Sequence, residues 1–106
     1  MGSALETLRR FPADARREAG YQLRKVQRGL LPDDPKPIRT VGPGTMEIRL
    51  HTGVEHRVFY VAKFEEAVYV LHAFEKRTAQ TRQADIELAR TRYGTLVQTR
   101  RGRRGG

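Results

Sequence analysis

The chain predicts an α+β fold: two N-terminal helices, an antiparallel sheet of three or more strands, and a C-terminal helix. Three observations carry this. An apolar stripe at helical spacing runs from Ala15 towards Leu30, apolar and polar residues alternate from Met46 to Leu50 ahead of two further apolar runs, and a second helical stripe extends from Ile86 to Val97. Strands grouped between helices describe segregated elements rather than a βαβ order.

Ser3-Ala4-Leu5-Glu6 has the spacing of a capping box and predicts a short helix through Arg10. Pro12 suits the first turn of a second helix, whose stripe of Ala15, Ala19, Leu23, Val26 and Leu30 ends at Gly29 and Pro32. Its opposite face carries Arg16, Arg17, Arg24, Lys25 and Arg28. Such faces are more often solvated than binding, so Arg16, Arg24, Lys25 and Arg28 stand as supporting RNA contacts only.

From Lys36 the period changes. Ile38 and Val41 precede the turn-rich Gly42-Pro43-Gly44, and Met46, Ile48 and Leu50 then alternate with Glu47 and Arg49 to give a strand with one apolar face. After a loop around Gly53, His56 to Phe64 reads as a second strand and Ala67 to Phe74 as a third, joined tightly at Glu65-Glu66. Val58, Tyr60 and Phe64 oppose Phe59 and Val61, so helices should cover much of the sheet. The last helix is expected from near Thr81 to about Thr99, with Ile86, Ala89, Tyr93, Leu96 and Val97 on its docking stripe. Residues 1–99 then form one domain, and Arg100 to Gly106 a disordered basic tail.

At 106 residues the chain can hold one core. Lys and Arg number 21 against 12 Asp and Glu, and the net charge of +9 favours polyanionic partners. The absence of cysteine excludes disulfides, thiolate catalysis and Cys-based zinc sites. No apolar run approaches the ~20 residues of a membrane span, and no leader pattern opens the chain, so a cytoplasmic protein is expected. Met1-Gly2-Ser3 fits either a natural start or a cloning scar.

The chemistry concentrates in Arg49 and Arg57 on adjacent strands and in the cationic exit Phe74-Glu75-Lys76-Arg77-Thr78. A sheet face of guanidinium groups without a carboxylate or cysteine cluster suits phosphate, because arginine offers a permanent charge and a planar fork of donors. RNA is the substrate this suggests, with no metal or cofactor. A five-residue loop from His51 to Glu55 would set Arg49 and Arg57 opposite one another on one face, whereas a four-residue loop would separate them. His72, just ahead of the exit, is either packed within sheet and helix or a proton carrier. His51 and His56 read as exposed histidines near the arginines. Tyr60, Tyr69 and Tyr93 read as packing.

Glu-Ile-Arg-Leu, His-Arg-Val-Phe-Tyr-Val, Val-Tyr-Val-Leu-His-Ala-Phe-Glu-Lys-Arg-Thr and Ala-Asp-Ile-Glu-Leu-Ala-Arg, taken in this order, make the chain resemble the RelE/ParE superfamily of bacterial toxins, in its HigB-like, phage-associated branch. The resemblance covers Leu5 to about Val97. It implies the toxin of a type II toxin-antitoxin system: a metal-independent endoribonuclease that cuts messenger RNA on the ribosome and is neutralised by a cognate antitoxin, commonly a helix-turn-helix protein. It also implies that Arg57 faces the scissile phosphate, that Arg49 occupies a basic strand position, and that Lys76 or Arg77 serves the leaving group or the phosphate. Two departures stand out: the Arg-rich tail, and the strand that relatives place before the first helix, which is either missing here or lost to a misplaced coding start. Loss of that strand would expose a sheet edge open to homo-oligomerisation or a partner strand. The alternatives are a ParE-like inhibitor of DNA gyrase and a catalytically degenerate toxin that survives as a binding module.

Overall fold

The computed structural model describes residues 2–64, 67–77, 81 and 83–105. Its elements are α1 (Gly2–Arg9), α2 (Ala13–Gln27), β1 (Pro35–Pro37), β2 (Thr45–Thr52), β3 (Val54–Val61), β4 (Tyr69–Glu75) and α3 (Gln83–Gly105). The α+β fold is as the sequence predicts, with one further strand. The four strands form a sheet in the order β1-β2-β3-β4, each pair antiparallel.

Alternation along the strands feeds two cores. On one side Ile48, Leu50, Val58, Tyr60, Val70 and Ala73 meet Ala4 and Leu8 of α1 and Ala15, Ala19 and Val26 of α2. On the other, Phe59, Val61, Leu71 and Phe74 meet Ala89 and Leu96 of α3, with Ile86 and Tyr93 packed alongside. The sheet is therefore the middle of three layers, as its doubly apolar strands require.

Local signals explain the ends. Gly29 adopts φ 81° just past α2, its N–H donates to the Val26 carbonyl, and the Leu30 N–H reaches back to the Lys25 carbonyl. This is a Schellman closure, in which glycine takes the left-handed conformation at no steric cost. It also removes Leu30 from the stripe: the chain reverses, and Leu30 stands 56% exposed. Ser3 is the second residue of α1 instead of its cap, and its carbonyl accepts from the Thr7 hydroxyl at 3.0 Å. The helix starts before the serine, which leaves the expected capping box unformed.

Two further expectations change. Where an open sheet edge was expected, Met46 to Ile48 of β2 are covered by β1, whose Pro35 and Pro37 lack N–H donors and so offer little to another strand. Helical structure continues past Thr99 to Gly105, through the segment expected to be a disordered tail. Arginine is a good helix former, cations suit a helix C-terminus, and the Arg100 guanidinium lies 3.6 Å from the centroid of the Phe64 ring. The expected Glu65-Glu66 connection and Thr78 lie outside the described residues.

One close approach ties the layers together. The Tyr93 hydroxyl donates to the Pro43 carbonyl at 2.7 Å and accepts from Lys63 Nζ at 2.9 Å. A Cβ at Gly42 would lie 2.7 Å from the Tyr93 ring, so only glycine allows this contact.

Candidate functional site

Gly53, at φ 102°, closes the turn between β2 and β3 and sets the register of both strands. Thr52 pairs with Val54, His51 with Glu55, and Arg49 with Arg57. The two arginines therefore face each other on one side of the sheet, in the register of the five-residue loop. Like charges directly opposite repel, so the pairing needs compensation from neighbours.

Carboxylates supply it. Arg49 Nη2 donates to Asp34 Oδ1 at 2.6 Å. Arg57 Nη1 donates to Glu55 Oε1 and to the His56 carbonyl, both at 3.1 Å. Its Nε lies 3.7 Å from Glu47 Oε2, close enough for an ion pair and too far for a hydrogen bond. Among the described residues both of those buried atoms lack a hydrogen-bond partner. His51 links the two halves, with Nε2 at 2.7 Å from Asp34 and Nδ1 at 2.8 Å from Glu55. The result is one chain of charges, Arg49–Asp34–His51–Glu55–Arg57–Glu47.

The expectation of a cationic face without carboxylates is thus corrected. Asp34 arrives through the β1–β2 pairing and Glu55 through the tight turn, and neither proximity shows in local spacing. Glu47 was visible, since it alternates with Arg49 on the same strand face.

The electrostatics follow the geometry. Hydrogen bonds to Asp34 and then Glu55 raise the His51 pKa above its ordinary value. Bonds from His51 and then Arg49 lower that of Asp34. Burial pushes the Glu55 carboxyl up, but His51 and Arg57 outweigh it and the net shift is downward. Exposure varies along the chain: the Arg57 side chain is 7% exposed, that of Arg49 35% and that of His51 55%.

His72 is buried in β4, stacked on Phe74 with ring centroids 4.8 Å apart and bonded through Nε2 to Asp85 of α3 at 2.7 Å. Burial lowers its pKa despite the raising effect of Asp85. His56 proves buried instead of exposed, its ring 4.4 Å from that of Phe11 and its Nδ1 3.0 Å from the Val54 carbonyl. The Lys76 N–H donates to the Glu55 carbonyl at 2.8 Å and so extends the β3–β4 ladder beside Arg57. Arg77 is well exposed and lies 3.3 Å from Glu75.

The α2 cations lie elsewhere. That helix packs on the face of Ile48 and Val58, opposite the face of Arg49 and Arg57, so the structure does not bring the two sets together. Arg16 donates to the Arg9 carbonyl at 3.2 Å, Arg24 to the Gly20 carbonyl at 3.4 Å, and Lys25 is paired with Asp33. Arg24, Lys25 and Arg28 border a groove beside Tyr21, which sequence reasoning passed over. Its signal was helical spacing, since residues three, four and seven positions on share its face.

Among the described residues no group of three or more His, Cys, Asp or Glu side chains could hold a metal ion. None of the helices is long and apolar enough to cross a membrane, as judged over those residues. No curated protein and no solved structure matches the chain. The family model described as Phage derived protein Gp49-like (DUF891) matches residues 6–94, a span that takes in both arginines, the hairpin that opposes them and the β4 exit. The chain belongs to this Gp49-like family of phage-derived proteins.

Proposed function

We propose that the protein is the toxin of a type II toxin-antitoxin system, a metal-independent endoribonuclease that cuts messenger RNA on the translating ribosome. The observation that carries this reading is the direct opposition of Arg49 and Arg57, with their forks engaged by the carboxylates of Asp34 and Glu55. Carboxylate and phosphate present similar oxygen pairs to a guanidinium, so a phosphodiester can take the places these acids hold. Membership of a phage-derived family supports the toxin reading.

In this mechanism the 2′-hydroxyl passes its proton to the Glu55 carboxylate and attacks the adjacent phosphorus while the 5′-oxygen leaves, giving a 2′,3′-cyclic phosphate and a 5′-hydroxyl. Arg57 stabilises the charge that develops on the phosphoryl oxygens, a task for which one well-aimed donor contributes about 10²–10³ in rate. Arg49 orients the phosphate, and Lys76 and Arg77 hold the strand on the leaving side. Arginine does not release a proton near neutrality, so the proton for the 5′-oxygen needs another source. His51 fits: it is exposed, lies between the two arginines' acids, and has a raised pKa. His72 acts as a positioning residue that fixes the β4 exit through Asp85. A cognate antitoxin, a helix-turn-helix protein in the HigB-like branch, would hold the activity off in the cytoplasm.

A second reading is favoured by the burial of Arg57. A guanidinium 7% exposed and already compensated suits a toxin that has become a binding module. Mapping RNA 5′ ends in cells after brief induction, with Arg57→Gln alongside, separates the two. New in-frame cuts in translated messages that vanish in the variant support the nuclease. Absence of new ends with the unaltered chain overturns it in favour of the binding module.

A further inference from the structure

The best-placed cations for a ligand are not those on the sheet. Among the described residues, Arg49 and Arg57 are paired with carboxylates, whereas Arg17, Arg24 and Arg28 of α2 and its C-cap have no carboxylate within ion-pair distance. Between these arginines stands Tyr21, 53% exposed although it is a large aromatic residue on a structured helix.

Two grooves meet at this tyrosine. One, of about 490 Å³, is bordered by Asp14, Arg17, Glu18, Tyr21, Arg24 and Thr52, the last from the tip of the β2–β3 hairpin. The other, of about 240 Å³, is bordered by Tyr21, Arg24, Lys25 and Arg28. Tyr21 and Arg24 belong to both, so the grooves form one track across α2 with an aromatic ring at its centre. The acids along it are already engaged: Asp14 accepts from the Ala15 N–H and Glu18 from Gln22 Nε2. Lys25 is paired with Asp33 and lies 5.5 Å from the Tyr21 centroid, which steadies the ring from the side of the smaller groove.

We propose that this track binds single-stranded RNA, with a base stacked on Tyr21 and the flanking phosphates held by Arg17, Arg24 and Arg28. An exposed aromatic interleaved with unpaired cations is what an unstacked strand recognises, since every base has a π-face and every linkage a charge. A duplex hides its base faces and gains only the charge. The inference rests on RNA as the partner, but it concerns the opposite side of the sheet from Arg57 and does not need cleavage.

The test is fluorescence anisotropy with a short labelled oligoadenylate, with inorganic polyphosphate as a competing polyanion that cannot stack. Tyr21→Ala should weaken oligoadenylate binding between about fivefold and about a hundredfold and leave polyphosphate binding unchanged, while Tyr21→Phe keeps both. Arg24→Gln should weaken both ligands and reduce the salt dependence of RNA binding by about one phosphate contact. Tyr21 is exposed, and circular dichroism of Tyr21→Ala checks that α2 is intact. Unchanged RNA binding in Tyr21→Ala, or an equal loss for RNA and polyphosphate, overturns the stacking track. Because binding is read without cleavage, a failure to find in-frame cuts in cells would remove the nuclease reading and leave this one standing.

Discussion

Arg57 and Glu47 approach to 3.7 Å inside the sheet face, and each keeps a buried polar atom without a hydrogen bond among the described residues. A pair of this kind holds together by compensation of charge more than by directed bonds, so removing one partner strands the other.

Arg57→Gln should therefore cost about 3–5 kcal/mol of stability in urea unfolding, because the Glu47 carboxylate is left buried and uncompensated. Adding Glu47→Gln should restore most of that loss. RNA cleavage in the double variant should stay about 10²–10³ below the unaltered protein if Arg57 meets the phosphate. Cleavage that returned along with stability would assign Arg57 a structural role.

His51 and His72 should move the pH dependence of stability in opposite directions. His51 has a raised pKa in the folded chain, so its contribution is complete below the ordinary value of 6.5 and is lost as pH rises through the folded value. His72 has a lowered pKa, so below 6.5 the unfolded chain takes up a proton that the fold resists, and stability falls with pH until the folded value is passed. Melting temperatures measured from about pH 5 to about pH 8 should show His51→Gln flattening the alkaline side and His72→Gln flattening the acid side.

Glycine substitutions should separate a crowded position from an open one. Gly42→Ala sets a methyl group 2.7 Å from the Tyr93 ring and should cost about 1–3 kcal/mol. Gly94→Ala, on α3 with nothing among the described residues within 4 Å, should gain about 0.5–1 kcal/mol. Equal effects of the two in denaturant unfolding would remove Tyr93 from its place over the turn.

Truncation after Thr99 removes the last turns of α3 and the Arg100 contact on Phe64. It should lower stability by about 1 kcal/mol, readable as a drop in melting temperature. A segment without ordered contacts would leave that temperature unchanged.

The element order was legible because each stripe had the period of its own structure. Ala15, Ala19 and Val26 are buried in α2 as their spacing predicts, and Phe59 and Val58 face opposite cores as alternation along β3 requires. Even the opposition of Arg49 and Arg57 could be written down once a loop length was assumed. What stayed hidden depended on contacts far apart in sequence. Asp34 reaches Arg49 and His51 through a three-residue strand bounded by prolines, a pattern that local periodicity reads as loop. His56 looked exposed at the start of a strand, but the ring of Phe11 covers it. Tyr21 escaped notice because an aromatic residue on a helix is ordinarily packed, and only the structure shows that this one is not.

The bond from Tyr93 to Pro43 spans fifty positions of sequence, and the layer it fastens follows the sheet along the chain. A ribosome delivers the chain from its N-terminus, so α1, α2 and the sheet can assemble one core before α3 has emerged. Throughout that interval Phe59, Val61 and Leu71 have no cover, and the nascent chain presents them to its surroundings. The arrival of α3 is thus the step that covers this face. A partner able to recognise the half-built sheet would meet this protein while it is still tethered to the machine that makes it.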